Sequence, residues 1–357
     1  MESYTRITRS GRPIAVEDNQ AGDESSYSNS PLVTPGGIAL SDSEKVKALA
    51  DNQEPQFQLV TDHSVPAVIE RVDEALRSYF LSPGNETQLT TPDEFHEVII
   101  GLKVSKTPGP NRIPNRTLKH LPRRAVSLLT RILNAVLRTH HLPQTWKHTR
   151  VISVFNPGKD PALPSSYRPI SLLDTIGKLF EKILLAMILH VVNERGLMRD
   201  EQFGFRRRHN TSLQLVRLVK RITRNFGEKR LTGAVILDVA KAFDTVWIDG
   251  LLYKLTNFNF PSYIVHTISS YLRARTFEAS FYSATSSRRG MGAGVAQGGL
   301  ISPVLFSLYV NYIPPPSNHV VLAFYEDDTA IIVTSHKPTL LVNHLESHLN
   351  DLQRSYS

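Results

Sequence analysis

Residues 320–333 read Val320-Val321-Leu322-Ala323-Phe324-Tyr325-Glu326-Asp327-Asp328-Thr329-Ala330-Ile331-Ile332-Val333. Two apolar runs, Val320–Ala323 and Ala330–Val333, flank a short acidic turn, which is the pattern of a strand–turn–strand with buried flanks. Adjacent carboxylates are costly beside buried strands, so the pair calls for a counter-cation, and a bound divalent metal would supply it. Glu326 adds a third negative charge where a metal site needs room for substrate. Asp-Asp pairs also occur in plain surface turns, so the turn alone leaves both readings open.

Upstream, Ala234–Leu237 is an apolar run too short for a helix; it ends abruptly at Asp238 and reads as a buried strand. If that strand joins the hairpin in one sheet, three carboxylates converge at a single edge. Two Mg²⁺ ions roughly 4 Å apart need hard oxygen ligands and open positions for water and phosphate. Such a pair activates a 3′-hydroxyl and stabilises a leaving pyrophosphate during in-line phosphoryl transfer.

The rest of the chain mixes long helices with a few strands that are not sequential. Apolar positions Val126, Leu129, Leu133, Val136 and Leu137 predict an amphipathic helix over 123–140. Helical spacing also predicts helices over 176–191, 211–224 and 261–272, and a final one from about Thr339. Ser302-Pro303 reads as the N-cap and first residue of a helix through Tyr309. Arg150–Phe155 and Phe277–Tyr282 read as strands. The class expected is α+β. Residues 1–42, rich in Ser, Gly, Asp and Pro, read as a disordered tail or linker remnant; 43–100 form a helical leader, and 101–357 hold the main domain.

Composition sets outer bounds. The 357 residues are 41% hydrophobic and 21% charged, enough for a substantial core, and the absence of Cys excludes disulfides and Cys-based zinc sites. A net charge of +8 favours a polyanionic partner without establishing one. The longest apolar run, Ile183–Leu189, is far short of the ~18 residues that span a bilayer. No apolar signal core opens the chain, so no membrane partner is expected and an intracellular location is.

Several stretches carry a resemblance. Asp238-Val239-Ala240-Lys241-Ala242-Phe243-Asp244, then Gln297-Gly298, then Phe324–Asp328 stand in the order seen in reverse transcriptases. Lys106–Pro114, Ser166–Leu173, Glu201–Arg206 and Ser302–Phe306 extend the likeness, which covers roughly residues 90–350. Over that span the chain resembles the polymerase of jockey-like non-LTR retrotransposons. The resemblance implies a right-hand fingers and palm architecture and RNA-directed DNA polymerase activity. It also implies two Mg²⁺ ions, deoxynucleoside triphosphates, an RNA template, a DNA primer and a nuclear site of action.

Carried over by position, Asp238, Asp327 and Asp328 are the implied metal ligands, with the Val239 carbonyl as a further one. Arg168 and Lys159 would hold the triphosphate, Arg as a fork and Lys as a point charge. Phe243 would gate the sugar by leaving no space for a 2′-hydroxyl. Gln297-Gly298 would approach template and base, where Gly permits close backbone contact. Without the resemblance, Phe243 is simply core and Gln297-Gly298 simply a turn.

The sequence also departs from that family. A small residue, most often Ala, is usual where this chain has Glu326. A charge ~5 Å from a primer phosphate costs on the order of 3 kcal/mol at an effective dielectric near 20, roughly a hundredfold in rate. Arg206-Arg207-Arg208 replaces the Pro-Gly that usually follows the first Arg. Arg217, Lys220, Arg221 and Arg224 fall along one helical face, either tracking a nucleic-acid backbone or simply solvated. The chain is expected to hold fingers and palm with the thumb absent, and without the endonuclease that usually precedes them. The alternative is a degenerate mobile-element fragment that at most binds nucleic acid.

Overall fold

A computed structural model describes residues 30–356 except 59–65, 207, 240, 312, 317 and 318. In chain order the first elements are β1 (Leu32–Thr34), β2 (Gly37–Ala39), α1 (Asp42–Gln53), α2 (Pro66–Leu81), α3 (Pro92–Ile100), α4 (Asn115–Lys119) and α5 (Arg123–Thr139). Then come α6 (Gln144–Lys147), β3 (His148–Phe155), β4 (Tyr167–Leu173), α7 (Thr175–Glu194), α8 (Thr211–Gly227) and β5 (Leu231–Leu237). The series continues with α9 (Ile248–Asn257), α10 (Ser262–Leu272), β6 (Arg275–Phe281), β7 (Ala284–Thr285), β8 (Arg289–Met291) and α11 (Ser302–Val310). It closes with β9 (Val320–Tyr325), β10 (Asp328–Ser335) and α12 (Pro338–Tyr356). The class is α+β. Among the described residues no helix is long and apolar enough to cross a membrane.

The chain divides into two compact units, and the boundary cuts the motif around Asp238, between Ala242 and Phe243. The larger comprises the described part of Ala15–Arg195 with Phe243–Leu305. Its sheet has the order β4-β3-β6-β7, with β8 also on β6. β3 pairs antiparallel with β4 (Val151 opposite Ser171) and parallel with β6 (Val151 opposite Ala279). Phe57, Val151, Phe277 and Met291 form a buried cluster on this sheet.

α1 closes on Ser41 and Glu44 as a capping box and packs Val46 and Ala50 on Ala279. The sequence predicts a tail through residue 42. Residues 1–29 lie outside the described ones, but Leu32–Thr34 and Gly37–Ala39 pair as a hairpin, and Leu32 and Ala39 bury with Leu49 and Tyr167. Here Pro35-Gly36 makes a turn rather than a linker.

The smaller unit, Gly196–Ala242 with Phe306–Ser357, is built on a three-stranded antiparallel sheet in the order β5-β10-β9. One face buries Leu322, Phe324, Ile331 and Val333 beneath Leu341, Leu345, Leu349 and Leu352 of α12. α12 can lie close because Gly233 faces Leu341 and has no Cβ to hold it off. Strand alternation puts Thr232 and Thr334 on the opposite face, where Asn225 of α8 donates to both hydroxyls at 2.9 Å.

Two expectations fail in this unit. β5 is not a buried strand: it is a sheet edge, and Ile236, on the face away from α12, is 75% exposed. The basic face of α8 is not one solvated stripe either. Arg217 turns inward, donating to the Leu322 carbonyl at 3.1 Å and lying over the Phe203 ring, while Lys220 and Arg224 are exposed. Arg207, in the preceding basic run, lies outside the described residues.

Candidate active site

In the smaller unit, β9 and β10 are joined by the two-residue turn Glu326-Asp327, with Asp328 paired to Tyr325. Glu326 has φ 60°. Two-residue hairpins need this left-handed geometry at their first central position, and glycine adopts it at least cost. β5 then brings in the third acid. Leu237, the last residue of β5, stands opposite Thr329, so the chain leaves the sheet into Asp238 at the end where Asp328 begins β10. Asp238, Val239, Asp327 and Asp328 therefore share one end of one sheet.

Asp238, Val239 and Asp328 are exposed there. Among the described residues no three His, Cys, Asp or Glu side chains are drawn together as a ready metal cage. The donor set nevertheless fits a hard divalent cation: carboxylate oxygens, open to solvent, with an excess of negative potential. Glu326 registers that excess. Burial first, and then the charges of Asp327 and Asp328, hold its carboxyl above the ordinary range.

The free edge of β9 is covered by a segment whose role the sequence does not reveal. Phe324 N–H donates to the Glu201 carbonyl and Phe203 N–H donates to the Phe324 carbonyl, each at 3.0 Å, with a parallel bridge at Gln202. Gln214 of α8 donates to the carbonyls of Glu201 and Phe324, both at 3.1 Å. Gly204 then passes so close to the turn that a Cβ would collide with the Glu326 backbone. Glu201–Gly204 thus acts as a short fourth strand that fixes the acidic hairpin. The signal available in the sequence is a lone Gly between Phe203 and Phe205, which marks a close backbone approach.

The larger unit holds the remaining candidates. Lys159 is exposed in the β3–β4 connection, where its N–H donates to the Asn156 carbonyl at 3.3 Å. Arg168 is exposed on β4, opposite Val154 of β3. Three residues along β4, Ser171 N–H donates to the Gln297 carbonyl at 2.9 Å. Gly298 has φ 115°, and a Cβ there would stand 2.7 Å from the Ser171 carbonyl, so only glycine fits. Upstream in the same loop, Val295 N–H donates to the Phe243 carbonyl at 2.7 Å. Main-chain bonds therefore tie the strand of Arg168, the loop of Gln297 and the segment of Phe243 into one construction.

The Pro-rich loop before these strands is also fixed. Asn111 donates to Asp174 at 2.8 Å, and Asp174 caps α7 through Ile176 N–H. Gly109 lies against the Leu173 carbonyl where any Cβ would clash. Ser302 corrects another expectation: its hydroxyl is buried without a hydrogen-bond partner and so does not cap α11.

The family profile described as "Reverse transcriptase (RNA-dependent DNA polymerase)" matches residues 156–356. The probable RNA-directed DNA polymerase from transposon BS of Drosophila melanogaster is 34% identical over 336 residues, 90% of this chain and 36% of that protein. The RNA-directed DNA polymerase from mobile element jockey of the same species is 32% identical, covering 89% of this chain and 35% of that protein. The probable RNA-directed DNA polymerase from its transposon X-element is 37% identical, covering 68% and 27%. The chain spans about a third of the length of these curated relatives.

Proposed function

The chain belongs to the reverse transcriptase family, in its jockey-like non-LTR branch, and we propose that it is an RNA-directed DNA polymerase domain. In this reading the sheet β5-β10-β9 is the catalytic part of the palm, and the β3–β4 hairpin is part of the fingers. The substrates are an RNA template, a DNA primer and deoxynucleoside triphosphates, and the site of action is nuclear. The observation that supports the reading is the antiparallel pairing of β5 with β10, which ends at Leu237 and Thr329 and so leaves Asp238 and Asp328 at the same sheet end as the Glu326-Asp327 turn.

Asp238, Asp327 and Asp328, with the Val239 carbonyl, would hold two Mg²⁺ ions. When bound, such ions lower the pKa of an attacking hydroxyl and neutralise charge on the transferred phosphoryl group. The protein's own groups do the rest. Lys159 and Arg168 orient the triphosphate by charge and by fork geometry. Phe243 closes the space beneath the sugar, which selects against a 2′-hydroxyl. Gln297 and Gly298 face the base pair being formed, the glycine admitting close backbone approach.

Primer extension on an RNA template tests this directly. The domain should extend a DNA primer only with Mg²⁺ present and should lose extension on Asp327→Asn. Failure to extend at high enzyme concentration, with Glu326→Ala as well as with the unaltered chain, would sink the reading.

Glu326 supports a second reading, a polymerase weakened to a nucleic-acid-binding remnant. It is a strained and partly buried acid inside the site. That reading predicts salt-dependent binding to an RNA–DNA duplex with no metal requirement and no synthesis.

A further inference from the structure

The polymerase reading assigns no role to Glu181. This residue sits within α7, in the run Leu179-Phe180-Glu181-Lys182-Ile183-Leu184, and is 1% exposed. A carboxylate that deep is expensive unless donors are aimed at it. Two are. Leu300 N–H donates to Oε2 at 2.9 Å, and the Tyr271 hydroxyl of α10 donates to Oε1. Behind Tyr271 the buried Arg275 guanidinium lies 5.0 Å from the ring centroid and donates to Thr149 at 3.0 Å. Burial pushes the Glu181 carboxyl up, while Leu300 N–H, Tyr271, Arg275 and Lys178 oppose that shift.

Leu300 belongs to the loop that carries Gln297 and Gly298. Between them is Gly299, where a Cβ would stand 2.7 Å from Ser302 Oγ and 3.1 Å from both Glu181 Oε1 and the Tyr271 hydroxyl. Gly299 is the gap through which the carboxylate reaches the loop. The loop is therefore held at both ends by unlike partners. Ser171 of β4 takes the Gln297 carbonyl, and Glu181 of α7 takes the Leu300 amide. An apolar side chain would fill position 181 at lower cost, but it could not accept from Leu300.

We infer that Glu181 is a positioning residue: it fixes the backbone of Gln297–Leu300 and so sets how the Gln297-Gly298 loop meets the incoming nucleotide. This rests on the polymerase reading for the loop's role, while the contact itself does not.

Two measurements separate the two. Hydrogen exchange in peptides spanning residues 296–302 reads the loop without any activity. Glu181→Ala should speed exchange there while peptides from the β5-β10-β9 sheet stay unchanged. Tyr271→Phe, which leaves the Leu300 bond in place, should raise it less. Unchanged loop exchange in both variants overturns the inference. If Glu181→Ala fails to fold, Glu181→Met, which fills the space but cannot accept from Leu300, decides in its place.

Primer extension at graded dNTP supplies the second measurement. Glu181→Ala should raise the KM for dNTP about tenfold, roughly what one hydrogen bond to a charged group is worth, with kcat less affected. Glu181→Gln should recover most of the loss, since its amide oxygen can accept from Leu300 while its NH₂ donates to a reoriented Tyr271. An unchanged KM, or a fall in kcat alone that Gln does not rescue, would show a purely structural acid. If the unaltered chain does not extend primers at all, the polymerase reading fails, and the exchange data still decide whether Glu181 holds the loop.

Discussion

The molecule holds two sets of carboxylates under opposite regimes. At the hairpin of the smaller unit, Asp238 and Asp328 are exposed at a sheet end beside Glu326 and Asp327. In the larger unit, Glu181 is enclosed and accepts from a backbone amide and a phenol. Asp238 and Asp328 of the first set face solvent, where the polymerase reading puts the metal, and the second spends its oxygens on the protein itself. In that reading, how a carboxylate is satisfied separates a group that handles a ligand from one that shapes the surroundings. Both lie within the span that matches the reverse transcriptase family, so family membership alone would not have divided them.

The sharpest way to break this contrast is to neutralise one acid of the hairpin turn. Asp327→Asn should reduce primer extension by on the order of a thousandfold or more, since metal charge stabilisation contributes several kcal/mol. Its melting temperature should not fall, because the substitution removes a repulsion that Glu326 now feels. A variant that keeps its rate, or that loses rate only by unfolding, would erase the distinction between the two sets.

The next effect runs the other way. Glu326 adds charge to the acidic end and also occupies the left-handed turn position. Glu326→Ala removes only the charge, whereas Glu326→Gly removes charge and strain together. The rate of extension should rise by up to about a hundredfold in either variant. The glycine variant should additionally melt higher than the alanine one. A fall in rate would instead make Glu326 a working ligand of the site.

A third test concerns the scaffold. Gly204→Ala forces a methyl against the Glu326 backbone. Overpacking of this kind costs about 2 kcal/mol, or about 4–8 °C in melting temperature, read by calorimetry. An unchanged melting temperature would mean that Glu201–Gly204 does not hold the hairpin.

Much of this was legible in the sequence, and the failures have specific causes. The hairpin was readable because two apolar runs bracket a two-residue turn, and Asp238 because an apolar run stops at it. The burial of β5 is not legible, because four apolar residues look alike in a strand buried on both faces and in an edge strand like this one, where Ile236 is bare. The helix α8 is legible, but the partners of its basic face are not, because periodicity assumes that the inward face is apolar. Its inward face instead carries Gln214, Arg217 and Asn225, which satisfy carbonyls and hydroxyls of the sheet. Glu181 leaves no sequence signal because a charge in a helical run ordinarily marks the solvent side, and only packing shows otherwise. The pairing of Leu300 with Glu181 spans 119 residues and leaves no local trace.

The smallest effect, a pH dependence, bears most directly on the contrast. Glu326 has its carboxyl held above the ordinary 4.5 by burial and by its two acidic neighbours. In the unfolded chain it releases its proton near that ordinary value, whereas the native state retains the proton to higher pH. Over that window the native state binds more protons, so stability falls as pH rises from about 4.5, and the full deficit persists above the folded pKa. Glu181 has the same sign, from burial. The two differ in what relieves them. Mg²⁺ at the hairpin opposes the charges that raise Glu326 and should flatten its part of the curve, while the enclosed Glu181 is indifferent to it. Comparing melting temperatures of the unaltered chain and Glu326→Gln across pH 4–8 isolates the first contribution. Their difference should shrink when Mg²⁺ is added, and a difference that ignores Mg²⁺ would mean that the exposed acids do not take the ion.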